Sequence, residues 1–146
     1  MYGWTLNNTT SGIYTLNPAT GTAAVVTSNT SQTLFGMTFG PDGTLYASTG
    51  SNLLRLNPAT GAVLQNLGAY PQFIASLGYG PDGVLRGLSP HLTTNGTDLY
   101  RISPANASTT FLGTSVEDLY GVAAIPQPGG LLIALGAGLA LARRRR

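Results

Sequence analysis

Two short phrases each occur twice at one spacing, and they constrain this chain more than any other feature. "LNPATG" stands at Leu16 to Gly21 and again at Leu56 to Gly61. "FGPDGTL" at Phe39 to Leu45 returns as "YGPDGVL" at Tyr79 to Leu85. Both pairs are offset by 40 positions. A degraded third copy of the first phrase, "ISPANA", runs from Ile102 to Ala107, and the extra residues between Ser89 and Asp98 account for its delay. A fixed period of this length means one supersecondary unit used repeatedly, each copy burying its apolar face against the next.

The phrases are turns. Pro41 and Pro58 set φ near the value a second turn position needs. Asp42-Gly43 and Thr60-Gly61 put glycine where φ can be positive. Between them lie short runs that alternate or are rich in β-branched and aromatic residues, as strands are. The complete central unit is expected to hold strands at Leu34–Phe39, Thr44–Ser48, Leu53–Leu56 and Ala62–Leu67. The next repeats the order at Phe73–Tyr79, Val84–Ser89, Leu99–Ile102 and Thr109–Gly113. Tyr2–Leu6, Gly12–Leu16 and Ala23–Thr27 read as strands two to four of an opening unit, and "LYGVAAI", Leu119 to Ile125, as a lone first strand.

The expectation is an all-β fold: a partial β-propeller-like array of four-stranded blades over residues 1–124, then a short C-terminal hydrophobic helix within residues 125–146. About three blades fall short of the four to eight of closed propellers. A fragment of a longer propeller, an open array and closure by self-association all fit. "MYGWTLNNTTSG" has no basic n-region and no apolar h-region. Together with a start inside a strand, this leads us to expect a preceding segment with an export signal and further blades. The segments "IYTLNPATG", "LFGMTFGPDGTLYAS", "LLRLNPATG", "LGYGPDGVL" and "LYRISPA" resemble the propeller-like repeats of bacterial secreted proteins. That resemblance covers most of Tyr2 to Ala124 and implies a fold more than a function.

Charge excludes some functions. Charged residues are 8% of the chain and lysine is absent, against roughly 25% charged in an ordinary soluble domain. Four of the seven basic residues are Arg143, Arg144, Arg145 and Arg146. The body keeps Arg55, Arg86 and Arg101 against Asp42, Asp82, Asp98, Glu117 and Asp118, three positive against five negative. It has no basic patch for nucleic acid. With no cysteine, disulfides, thiolate chemistry and Cys-ligated metals are excluded.

Few residues invite a chemical role. His91 is the sole histidine, and a zinc site wants three or four ligands. Asp42 and Asp82 sit in equivalent turns, where Asp is favoured because its side chain bonds the local backbone. Glu117 and Asp118 read as a solvated turn. Asn8, Asn29, Asn95 and Asn106 stand in sequons expected by chance in a Thr-rich chain. Trp4, Tyr14, Phe35, Tyr46, Tyr79, Tyr100 and Tyr120 recur at strand positions, as packing between blades or as a carbohydrate-binding face. No nucleophile elbow, Ser-x-x-Lys or phosphate loop occurs. Neither a catalytic set nor a cofactor is expected.

The end of the chain is different. "AIPQPGGLLIALGAGLALARRRR" places a proline break, an apolar run and an arginine cluster in order. The run from Gly129 to Ala142 would make a helix of about 21 Å at 1.5 Å per residue, against a hydrocarbon core of about 30 Å. It lacks the polar face of an interfacial helix. Terminal arginines suit a C-terminus kept in the cytoplasm. Ile125 to Arg146 is similar to the PEP-CTERM sorting signals of Gram-negative bacteria, with Pro126, Gln127 and Pro128 as the motif and Arg143 to Arg146 as the membrane-stop cluster. Gln127 replaces the usual Glu. Gly129-Gly130 also resembles the GlyGly tails processed by rhomboid proteases. The resemblance implies transient inner-membrane anchoring, cutting by an exosortase-type enzyme, and delivery to the cell envelope or outside, in a polysaccharide or biofilm setting. Two alternatives stay open: a piece of a larger propeller hydrolase or lyase, and a permanently anchored binding module.

Overall fold

The repeated turns close as hydrogen-bonded units. In Asn17 to Gly21 the Gly21 N–H donates to Asn17 O (2.8 Å), and the Asn17 N–H donates to Thr22 O (2.9 Å). The Asn17 side-chain oxygen accepts from the Ala19 N–H (2.9 Å), the local bond that makes Asn a turn former. Asn57 to Gly61 repeats all three bonds. Gly21 and Gly61 sit at φ 70° and 71°, in the left-handed region. In the degraded copy Ala107 takes that place at φ 58°, its N–H donating to Ser103 O (2.9 Å). A methyl group there costs about 1 kcal/mol or more of backbone strain. Its full burial between two sheets offsets part of that. Gly68 provides the room: a Cβ on it would meet Asn106 O at 2.6 Å and the Ala107 methyl at 3.3 Å.

The computed structural model describes residues 2–7, 10–28, 30–90, 96–115, 117 and 119. Eleven strands in three antiparallel sheets occur among them. Sheet 1 holds β1 (Tyr2–Asn7), β2 (Thr10–Leu16) and β3 (Ala23–Thr27). Sheet 2 is ordered β4 (Gly36–Phe39), β5 (Leu45–Ser48), β6 (Gly50–Leu56) and β7 (Val63–Ile74). Sheet 3 holds β8 (Ser76–Tyr79), β9 (Leu85–Pro90), β10 (Thr97–Ile102) and β11 (Thr109–Thr114) in order. Each is a plain meander, because each turn returns the chain beside the strand it has just left. No helix occurs among the described residues. The hydrophobic helix expected near the C-terminus lies outside them, as do Pro126, Gln127, Pro128 and Arg143 to Arg146.

The sheets stack face to face. Tyr2, Ile13 and Val26 of sheet 1 pack against Leu45, Ala47, Leu54 and Leu56 of sheet 2, with Leu34 closing the cluster. Tyr46, Leu53, Tyr70 and Ile74 meet Leu77, Leu85, Ile102 and Ala107 in the second core. Neighbouring residues of β5 and β6 point into different cores, as the two-residue period requires. All four residues of β5 are therefore buried.

One element departs from the expected pattern. The fourth strand of the central unit was expected to stop at Leu67. Instead β7 continues to Ile74, and only Ala75 separates it from β8. Its register against β6 shifts at three places, and Gly68 adopts φ 141°. These irregularities bend the strand from sheet 2 toward sheet 3. Its far end is tied back where Gly50 pairs with Ile74 and the Ser48 hydroxyl donates to Ile74 O (2.7 Å). Pro71 falls in the irregular stretch, between the paired residues Ala69 and Ile74, where no ladder bond needs its missing N–H.

Equivalent glycines are expected to differ in cost. Gly21→Ala meets only the left-handed penalty, about 1–2 kcal/mol, since nothing lies within 4 Å of its Cβ position. Gly61→Ala adds a collision with the Thr27 side chain and a 3.3 Å contact with Ile13 Cδ1. Chemical denaturation should show the larger loss for Gly61→Ala.

Candidate functional site

The side chains with chemical potential are spent on their own turns. The Asp42 carboxylate accepts the Thr44 N–H (3.0 Å) and the Thr44 hydroxyl (2.7 Å). Those bonds hold its pKa below the ordinary value. Asp82 accepts the Val84 N–H (3.2 Å) and a two-pronged contact from the Arg86 guanidinium at 2.9 and 2.6 Å. Arg86 holds that carboxyl well below the usual range. The pair is partly exposed, so it adds little to stability. Arg86 stands where Tyr46 stands in the preceding unit, and its pairing with Asp82 is not among the features expected from the repeat. The signal was a basic residue four positions after the turn Asp.

No group of three His, Cys, Asp or Glu able to hold a metal occurs among the described residues. His91 and Asp118 lie outside them. Glu117 is exposed, and its carbonyl accepts from the Ser115 hydroxyl.

The aromatic residues pair with one another. Phe35 meets Phe73 edge to face at 4.8 Å, Tyr2 meets Phe39 at 5.0 Å, and Tyr100 meets Phe111 at 5.6 Å. Tyr46 and Tyr79 pack at 5.6 Å where sheets 2 and 3 meet. Burial, then the Tyr46 hydroxyl and the Asp42 charge, push the Tyr79 phenol above its usual range. The Tyr79 hydroxyl stays protonated at any physiological pH. Trp4 is 38% exposed and stands apart from these pairs.

Two concave surfaces stand out among the described residues. A polar cleft of about 480 Å³ lies between Thr30–Gln32 and Thr60–Val63. A mainly apolar groove of about 360 Å³ runs over the outer face of sheet 3, lined by Leu88, Thr97, Leu99, Leu112 and Leu119. The Thr97 hydroxyl accepts the Leu119 N–H (2.7 Å) and so pins the chain to the groove wall.

Tyr70 is the least satisfied buried group described. Burial raises its phenol pKa well above the ordinary 10.0, with Ser48 opposing weakly. The Ser48 oxygen is already engaged with Ile74 O and the Gly50 N–H, and no bond of good geometry reaches the Tyr70 hydroxyl. The folded chain keeps the Tyr70 proton at pH values where the unfolded chain has released it. Its contribution to stability is therefore intact below pH 10 and falls as pH rises above it. Tyr70→Phe removes an unsatisfied hydroxyl, so it is expected to cost little or to stabilise at pH 7. It should also flatten the alkaline decline, followed by denaturant midpoints from pH 7 to 11.

No family model matches the chain, and no curated protein matches it. Among solved structures, hydrazine synthase from Kuenenia stuttgartiensis is similar over 77% of this chain at 12% identity and a TM-score of 0.46. The chain spans 33% of the length of that protein.

Proposed function

We propose that this chain is an exported, surface-sorted, non-enzymatic β-repeat protein whose body is a propeller-like array. Its last residues act as a PEP-CTERM-like address read by an exosortase-type enzyme. The observation that carries this reading is the order of parts in the tail. Pro126-Gln127-Pro128 breaks the chain, an apolar run follows to Ala142, and four arginines end it. A run of about 21 Å is short for a permanent span, which favours a label that holds the protein in the inner membrane until it is cut. The repeated turn chemistry and the face-to-face stacking of meanders support the propeller-like form of the body. The lysine-free composition, with few charges, suits a protein delivered to the envelope or to extracellular polysaccharide.

The test is the mass of the mature protein. Placed behind a secretory leader in a Gram-negative host that carries an exosortase, the chain is expected to lose its tail near Pro126–Pro128. Removal of Arg143 to Arg146 is expected to leave it uncut. Gln127→Glu should speed cutting if the acid is what the enzyme reads. Full-length protein that keeps its arginine tail in both hosts with and without the exosortase would overturn the assignment.

A further inference from the structure

The two seams between stacked sheets are built from the same repeat positions. Where sheets 1 and 2 meet, Thr30–Gln32 face the turn residues Thr60–Val63 across the polar cleft. Where sheets 2 and 3 meet, the end of β7 faces the turn Ser103–Ala107 and the start of β11. Thr30, Ser31 and Gln32 correspond to Tyr70, Pro71 and Gln72, 40 positions on. Thr60, Gly61, Ala62 and Val63 correspond to Asn106, Ala107, Ser108 and Thr109.

The second seam is filled by these residues. Tyr70 and Ala107 are buried in its core, and the Thr109 hydroxyl donates to the Gln72 side-chain oxygen (3.3 Å). In the first seam Thr30 stands in place of Tyr70, so a phenol ring is absent. Gln32 keeps the amide of Gln72, but Val63 offers it no hydroxyl where Thr109 does. The backbone differs at the same point. Pro71 fixes φ near −65°, and β7 runs on through it to Ile74. Ser31, its equivalent, turns left-handed at φ 57°, and residues 30–35 form no strand. The Thr30 hydroxyl donates to Gln32 O (2.7 Å) across that bend. The result is an open cleft of about 480 Å³ at the positions where the second seam is packed.

We infer that this cleft takes a neutral sugar ring of a polysaccharide. Its volume falls within the roughly 300–1,000 Å³ of small-ligand sites. The second seam shows what the position accepts: a six-membered ring that carries a hydroxyl. Thr30, Ser31, Gln32 and Thr60 bring hydroxyls and an amide to the walls, groups that both donate to and accept from sugar hydroxyls. Ala62 and Val63 add a small apolar patch for the C–H face of the ring. No charged side chain lines the cleft among the described residues, so an ionised sugar would lose water there without gaining a counter-charge. The inference deepens the polysaccharide association proposed above and rests on that part of it.

The experiment is isothermal titration of the full chain, in a mild detergent that carries no sugar. The probes are neutral hexasaccharides of glucose, mannose and galactose, with hexagalacturonate as the charged counterpart and N-acetyltyrosinamide as a competing ring. At least one neutral hexasaccharide is expected to bind, and hexagalacturonate is not. Thr30→Tyr combined with Val63→Thr installs the side chains of the filled seam and is expected to abolish binding. Gln32→Ala, on the exposed wall, is expected to weaken it by about tenfold with the β circular dichroism signal unchanged, and it keeps the test open should the double variant fail to fold. Binding of no hexasaccharide overturns the inference, and so does binding that Gln32→Ala leaves unmoved. Tighter binding of N-acetyltyrosinamide also overturns it and assigns the cleft to a tyrosine of a protein partner. The sorting reading is judged separately, from the mass of the mature protein. A chain that is cut as expected yet binds no sugar loses only the assignment of the cleft.

Discussion

The fold depends on how closely backbones of different sheets approach. A Cβ placed on Gly36 of β4 would lie 2.7 Å from Leu77 N and 2.9 Å from Ser76 Cα of β8. No side chain separates the two strands at that point. Gly87 does similar work one strand out, where a Cβ would come within 2.7 Å of Ile74 and Ile102 side-chain carbons. These two contacts hold sheets 2 and 3 close, and side chains of the second core fill the space between them. Tyr46, Tyr70 and Tyr79 lie there, with bulk that small aliphatic residues would not supply.

Sheet 2 gains most from this arrangement. It is covered on both faces, and Leu45, Ala47, Leu53 and Ile74 are wholly buried. Among the described residues, sheets 1 and 3 each have one covered face. Val25 is 63% exposed on sheet 1, and Leu112 is 48% exposed on the outer face of sheet 3. Apolar side chains exposed on outer sheet faces are surfaces of the kind that invite pairing.

Much of this was legible in the sequence because the turns carry their own chemistry. Asn17, Asn57, Pro41, Gly43 and Gly61 specify turns by local bonds and by φ, with no help from the rest of the molecule. The strands between them followed. What could not be read was anything set by a neighbouring sheet. Gly68 and Pro71 look like loop residues, yet they lie in β7, because tertiary pairing at Gly50 and Ile74 carries the strand through them. Ala107 looks like decay of the NPATG phrase, yet it is seated in a core that Gly68 leaves room for. The Asp42 and Asp82 turns were legible as turns, but the Arg86 pairing was not, since it needs a hairpin to bring both groups to one side. The tail was legible as an ordered set of parts, and its residues lie outside those described here.

The close approach at Gly36 is the feature most open to a direct measurement. Gly36→Ala adds one methyl group against the backbone of another sheet, where overpacking costs about 1–3 kcal/mol. Gly113→Ala adds the same group where nothing lies within 4 Å, and there the change is expected to be neutral or stabilising. Denaturant unfolding of the two variants side by side should show a loss of about 1–3 kcal/mol at Gly36 and none at Gly113. Equal stability of the two would contradict a stack whose spacing is set by backbone contact at that glycine.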